Sequence, residues 1–176
     1  LTYLELLGPD PEQDPTLAAR SLPGVTGTCA QRWAVHPDDF DGTVGAADAA
    51  GVDYGSVFDM ARSTPDGGRL EWRLTRRAPL AFGGAQPFLI DWGTSLHPAD
   101  ALREGASGGD AAAASVEAVL VLERLEFFGP DAAGLTESID VLTGERVTAS
   151  HASESGFRAV LSCPRGEFVL SSPGHL

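Results

Sequence analysis

The chain has 176 residues, 43% of them hydrophobic, and a formal net charge of −13. That length suits one domain, or two small subdomains, with a real buried core. The acidic balance argues against nucleic acid or an anionic membrane surface as a partner. No apolar stretch reaches the length of a membrane span and no basic-then-apolar leader opens the chain, so a cytoplasmic protein is expected.

The first element is a predicted strand, TYLELL (2–7), in which Glu5 shares a face with Tyr3 and Leu7. A Pro/Asp loop follows at 8–16, then a second strand, CAQRWAVH (29–36). Trp33 and Val35 fall on one of its faces, Arg32, Ala34 and His36 on the other. In PDDFDGTVGAADAAG (37–51), Phe40, Val44 and Ala47 form a helical stripe, acids crowd the first turn, and Gly51 is placed to end the helix. Gly42 and Gly45 weaken that helix, which therefore needs a sheet to pack against.

Residues 52–69 read as irregular, with a short strand expected around 54–60. GRLEWRLTRR (68–77) alternates strictly: Leu70, Trp72 and Leu74 face one way, Glu71, Arg73 and Thr75 the other. PFLIDWG (87–93) is an apolar strand carrying one acid, Asp91. A small-residue linker (94–115) leads to a long apolar strand, VEAVLVLERLEFF (116–128). The last third then repeats the middle one. Pro37 to Gly51 and Pro130 to Gly144 have equal separations, and Leu135, Ile139 and Leu142 take the slots of the first helix's stripe. Each unit ends in an alternating strand and a last strand, and in that register Glu5, Asp91 and Ser171 are equivalent. The fold class expected is α+β. It is a curved mixed sheet with helices near 39–50 and 132–143 on its convex face and a cup on its concave face.

TYLEL (2–6), RWAVHPDDFD (32–41), ARSTPDGGRLEWRL (61–74) and PFLIDW (87–92), in that order, resemble the glyoxalase-like branch of the vicinal oxygen chelate superfamily. That superfamily includes glyoxalase I, extradiol dioxygenases and bleomycin-resistance proteins. The resemblance implies βαβββ modules. Residues 1–93 would hold the last strand of a first module and a complete second one, 94–115 a linker, and 116–176 a third, degenerate module. It implies a small-molecule partner. Because an apolar strand left as an open edge is an aggregation hazard, a strand from upstream residues or from another copy of the chain, as in a homodimer, is expected beside TYLELL.

In the superfamily a divalent metal sits in the cup on ligands from two modules. By position, Glu5 and Asp91 would be its last-strand ligands and catalytic groups, but the first-strand position falls on Arg32, which cannot ligate a cation. The metal site is thus expected to be incomplete. An ion pair between Arg32 and Asp91 is the alternative, with Arg62, Glu71 and Arg73 joining it to hold a small carboxylate or polar carbonyl compound. Glu5, Asp91, Arg32, Glu71 and Arg73 each also have a plainer reading, as a solvated strand-end acid, a surface cation or a solvated strand face. His36 and His97 read as loop residues, with His97 near enough to Asp91 in sequence to enter the site. Cys29 and Cys163 have neither metal spacing nor a CxxC and read as buried free thiols.

The function classes left are a lyase, isomerase or oxygenase acting on a small oxygen-bearing metabolite, or a non-catalytic drug-binding relative. No Ser-His-Asp order, nucleophile elbow, phosphate loop or dinucleotide fingerprint can be placed.

Overall fold

The computed structural model describes residues 4, 5, 8, 11, 12, 14, 16, 27–64, 67–97, 100, 120–143 and 147–172. Most of the strand expected at 2–7 and of the linker at 94–115 lies outside these. Leu4 and Glu5 are described, exposed and outside any strand.

The alternating stretch forms β3 (Arg69–Arg76), the middle of a sheet with β1 (Ala34–Val35), β2 (Ser56–Ser63) and β4 (Phe88–Asp91). The order is β1-β4-β3-β2, with β1 parallel to β4 and the other pairs antiparallel. β2 is longer than the short strand expected there. Its eight residues pair in unbroken register with β3, although every one of them is exposed. A second sheet holds β5 (Val121–Gly129), β6 (Ala149–His151), β7 (Gly156–Cys163) and β8 (Gly166–Ser171), in the order β6-β5-β7-β8. Both halves therefore run strand, helix, three strands, but they are wired differently. The helix of the second half connects adjacent parallel strands, while that of the first leads to the far edge of its sheet.

The two helices are α1 (Phe40–Ala49) and α2 (Ala132–Thr143). Asp39 caps α1, its carboxylate accepting from Gly42 N–H at 2.9 Å, and Asp131 accepts from Gly134 N–H at 3.0 Å in the same way. Gly51, at φ 77°, closes α1. Its N–H donates to Asp48 C=O and Val52 N–H to Ala47 C=O, the double closure that a left-handed residue permits. Phe40, Leu135 and Ile139 are buried as the stripe requires, and Val44 packs at the margin. The helices touch each other, since Val141 and Leu142 of α2 join the cluster of Phe40, Ala47, Tyr54 and Leu89. No helix among the described residues is long and apolar enough to cross a membrane.

A second cluster joins the halves: Ala85 from the first with Phe127, Leu135, Ile139 and Phe157 from the second, and Trp33 and Phe82 packed against them. Trp33 lies 5.5 Å from Phe127 and donates its Nε1–H to Ala85 C=O at 2.8 Å. Fully burying each such aromatic or aliphatic side chain stabilises by about 1.5–3 kcal/mol. The turn at Ala81–Gly84 makes this contact possible: a Cβ on Gly83 would stand 2.4 Å from Ser155 O. Beside the cluster, Ala30 N–H donates to Ser171 C=O at 2.8 Å, linking the last strand of one sheet to the segment entering the other. Both cysteines are free and half-buried rather than fully buried.

Candidate functional site

The first sheet has two unlike faces. Side chains opposite each other across a ladder share a face, so Phe58, Met60 and Arg62 of β2 lie with Leu74, Trp72 and Leu70 of β3. Ile90 lies opposite Leu74, and Trp92 continues the row with its ring 5.7 Å from that of Trp72. The other face carries Asp59, Glu71, Arg73, Thr75, Leu89 and Asp91, and it is the face that α1 covers. Leu89 is wholly buried beside Phe40, and Thr75 Oγ1 accepts from Leu89 N–H at 2.9 Å.

This reverses the expected placing of the polar residues. Asp91, Glu71 and Arg73 do not share the helix-free face. Arg73 clasps two acids there. Its Nη1 and Nη2 reach Asp41 Oδ1 and Oδ2 at 3.0 and 3.2 Å, and its Nε and Nη2 reach Asp91 Oδ2 at 3.2 and 2.8 Å. The guanidinium also lies 4.8 Å from the centroid of the Phe40 ring. Asp41 and Phe40 belong to the first turn of α1, so the clasp ties that turn to β3 and β4. Hydrogen bonds from Arg73, then the Gly93 N–H at 2.8 Å, hold the Asp91 carboxyl below its ordinary value, with a smaller contribution from His36. In return, hydrogen bonds to Asp91 and then Asp41 raise Arg73.

The expected Arg32–Asp91 pair does not form, because Arg73 takes the arginine's place. β1 and β4 are parallel with Ala34 opposite Phe88, so Asp91 aligns with Pro37. That is five residues, or roughly 16 Å along the strand, past Arg32. Arg32 instead lies 5.7 Å over the Phe88 ring. Glu71 is exposed and accepts from Arg69 at 2.8 Å, and Arg62 is exposed at the opposite end of the helix-free face. Glu5 is exposed. Ser171, its proposed equivalent, uses its backbone carbonyl to join the sheets.

These residues do not fit a divalent metal. Both oxygens of Asp91 are already engaged, and no group of three or more His, Cys, Asp or Glu among the described residues is placed to hold an ion. A metal would need ligands on the helix-free face, yet no Asp or Glu of β2, β3 or β4 points there.

Two features stand at the ends of that face. At the Trp92 end, the His97 ring meets Trp92 edge-on at 5.7 Å and stacks on His36 at 6.3 Å. The loop after β4 folds back to make this contact, with Ser95 Oγ accepting from Glu71 N–H at 2.9 Å. At the Phe88 end, Arg32, Arg76, Arg77, Tyr54, Gln86 and Phe88 line a cavity of about 30 Å³. The alternation of 68–77 already places Arg76 beside Leu74 and Trp72. The loop that folds over it carries no such pattern.

The family model for the glyoxalase-like domain matches residues 1–143. In structure the chain is similar to a hypothetical protein from Staphylococcus aureus, at 12% sequence identity and a TM-score of 0.43. The match covers 80% of this chain and 51% of that one, so the chain spans about half of that protein. No curated protein matches.

Proposed function

Because the chain belongs to the glyoxalase-like domain family, we propose that it binds a small oxygen-bearing metabolite on the helix-free face of the first sheet. The observation that carries this reading is the row of apolar and aromatic side chains left clear of both helices. Phe58 and Met60 are 45% and 41% exposed, and Trp72, Leu74 and Phe88 are half-buried beside them. Such a surface favours a flat or apolar ligand body, with the polar groups at its ends fixing orientation.

Whether the ligand is transformed turns on His36 and His97. Imidazole is the side chain most used in general acid–base catalysis, and these two stand at one end of the aromatic row. In the catalytic reading they move the proton in a lyase or isomerase step. The second reading is a non-catalytic binder of the bleomycin-resistance type. It is favoured by the turning of every strand carboxylate on β2, β3 and β4 towards the helix side.

A screen of small carbonyl and carboxyl compounds, followed by tryptophan emission, tests the site. A true ligand alters the emission, and Trp72→Ala weakens it at least tenfold while Val57→Ala on the other face does not. Affinities unchanged by Trp72→Ala would place the ligand elsewhere. His97→Ala then separates the two readings, abolishing turnover but not binding in the first and changing neither in the second.

A further inference from the structure

We propose that the cavity between Arg32, Arg76 and Arg77 is an oxyanion site. It would take the carboxylate or phosphate head of a small molecule whose apolar body lies along Phe88, Leu74 and Trp72. The proposal rests on the helix-free face being the binding surface and adds the chemical class of what binds there.

The chain has 25 acids against 12 basic residues, all of them arginine, so a place where arginines gather without an acid stands out in it. Of the described arginines, Arg69, Arg73, Arg77 and Arg124 are ion-paired, while Arg32, Arg62, Arg76, Arg158 and Arg165 are not, and of those five Arg32 and Arg76 line one cavity. No carboxylate lines the cavity where these two converge with Arg77. Asp53, the acid paired with Arg77, is not among the lining residues; its Oδ2 lies 3.1 Å from Arg77 Nε and its Oδ1 accepts from Gly55 N–H. Arg77 is thereby neutralised and positioned, while Arg32 and Arg76 leave two positive charges uncompensated.

The walls are fixed. Gln86 is buried and donates its Nε2–H to Asp53 C=O at 2.8 Å, and Tyr54 donates its hydroxyl hydrogen to Ser138 C=O. Stacking on Phe88 limits the freedom of Arg32.

Size and charge together decide the ligand class. A space of about 30 Å³ holds one water molecule or one small polar head, so the rest of any ligand lies outside it. By alternation Arg76 shares the face of Leu74 and Trp72, and Phe88 belongs both to the cavity wall and to that face. Guanidinium groups bind carboxylate and phosphate oxygens in pairs, and a neutral carbonyl gains far less from them.

The test uses benzoate, phenyl phosphate and the uncharged benzamide, titrated calorimetrically into the whole protein, with inorganic phosphate as competitor. At least one of the two anions should bind tenfold or more tighter than benzamide, a difference of about 1.4 kcal/mol. That advantage should shrink between about 20 and about 200 mM salt, and inorganic phosphate should compete it away. The double variant Arg32→Gln/Arg76→Gln should remove the advantage and leave benzamide unaffected. Its thermal midpoint should stay within about 2 °C, since both side chains are exposed. Which anion wins separates a carboxylate ligand from a phosphate one. Equal binding of anions and benzamide, or an advantage that survives the double variant, overturns the oxyanion site while leaving the apolar face standing. If Trp72→Ala leaves every affinity at the wild-type value, the face itself is wrong. Binding of no probe overturns the oxyanion site outright.

Discussion

Arg73 and Asp91 stand directly opposite each other in the β3–β4 register, and their side chains close to 2.8 Å on the helix side of the sheet. From the sequence Asp91 is expected beside Arg32 in a ligand cup, but the pair that forms is Arg73–Asp91. With Asp41 it fastens the first turn of α1 to the strands beneath it.

Asp91→Asn is expected to destabilise the fold by about 1 kcal/mol near neutral pH, the size of a good but partly solvated ion pair. Asparagine keeps an acceptor for Gly93 N–H, so the loss isolates the pairing with Arg73. Because the folded carboxyl titrates below its ordinary value of 3.8, its contribution is fully present above that pH. It is lost as pH falls through the depressed folded value. Urea unfolding of both proteins at pH 7 and near pH 2 checks this, and a difference that persists in acid would contradict it.

The two glycines of α1 should respond oppositely to alanine. A Cβ on Gly45 meets nothing within 4 Å, so Gly45→Ala should stabilise by about 0.5–1 kcal/mol through the entropy of the unfolded chain. A Cβ on Gly42 would stand 2.1 Å from Asp39 Oδ2, displacing the carboxylate that caps the helix. Gly42→Ala should therefore lower the melting temperature, since losing a cap costs about 0.5–2 kcal/mol. Equal shifts for the two variants would show that the cap is not formed in solution.

Tyr54→Phe removes a buried hydroxyl that bonds the Ser138 carbonyl across the contact between the halves, and should cost about 1 kcal/mol. Burial pushes the Tyr54 hydroxyl above its ordinary pKa of 10.0. The substitution should accordingly leave the phenolate absorbance of the folded protein below about pH 11 unchanged. A loss of absorbance in that range would mean that Tyr54 is open to water.

Much of the architecture was legible in the sequence because it rests on period. The stripe of Phe40, Val44 and Ala47 and the alternation of 68–77 each define an element and its two faces. Which face of β3 meets the helix was not legible. Leu70, Trp72 and Leu74 look like the core side, but Arg73 and Thr75 can be covered because each finds partners, two carboxylates in one case and the Leu89 N–H in the other. Nor could residue spacing pair the right arginine with Asp91. That choice is set by the parallel register of β1 on β4, which brings Arg32 to Phe88 and leaves Asp91 to β3. The cavity was missed for a similar reason, since a folded-back loop and two strand ends assemble it from distant residues.

The cluster of Ala85 with Phe127, Leu135, Ile139 and Phe157 has a consequence for cooperativity. Neither half completes its hydrophobic interior alone, since the first lends Trp33 and Phe82 to this cluster and the second lends Val141 and Leu142 to the other. Heating should give one calorimetric transition whose measured enthalpy equals the van't Hoff value. A chain cut between residues 101 and 119 should behave as a fragment-complementation pair, with each piece unstructured in isolation and the fold regained on mixing.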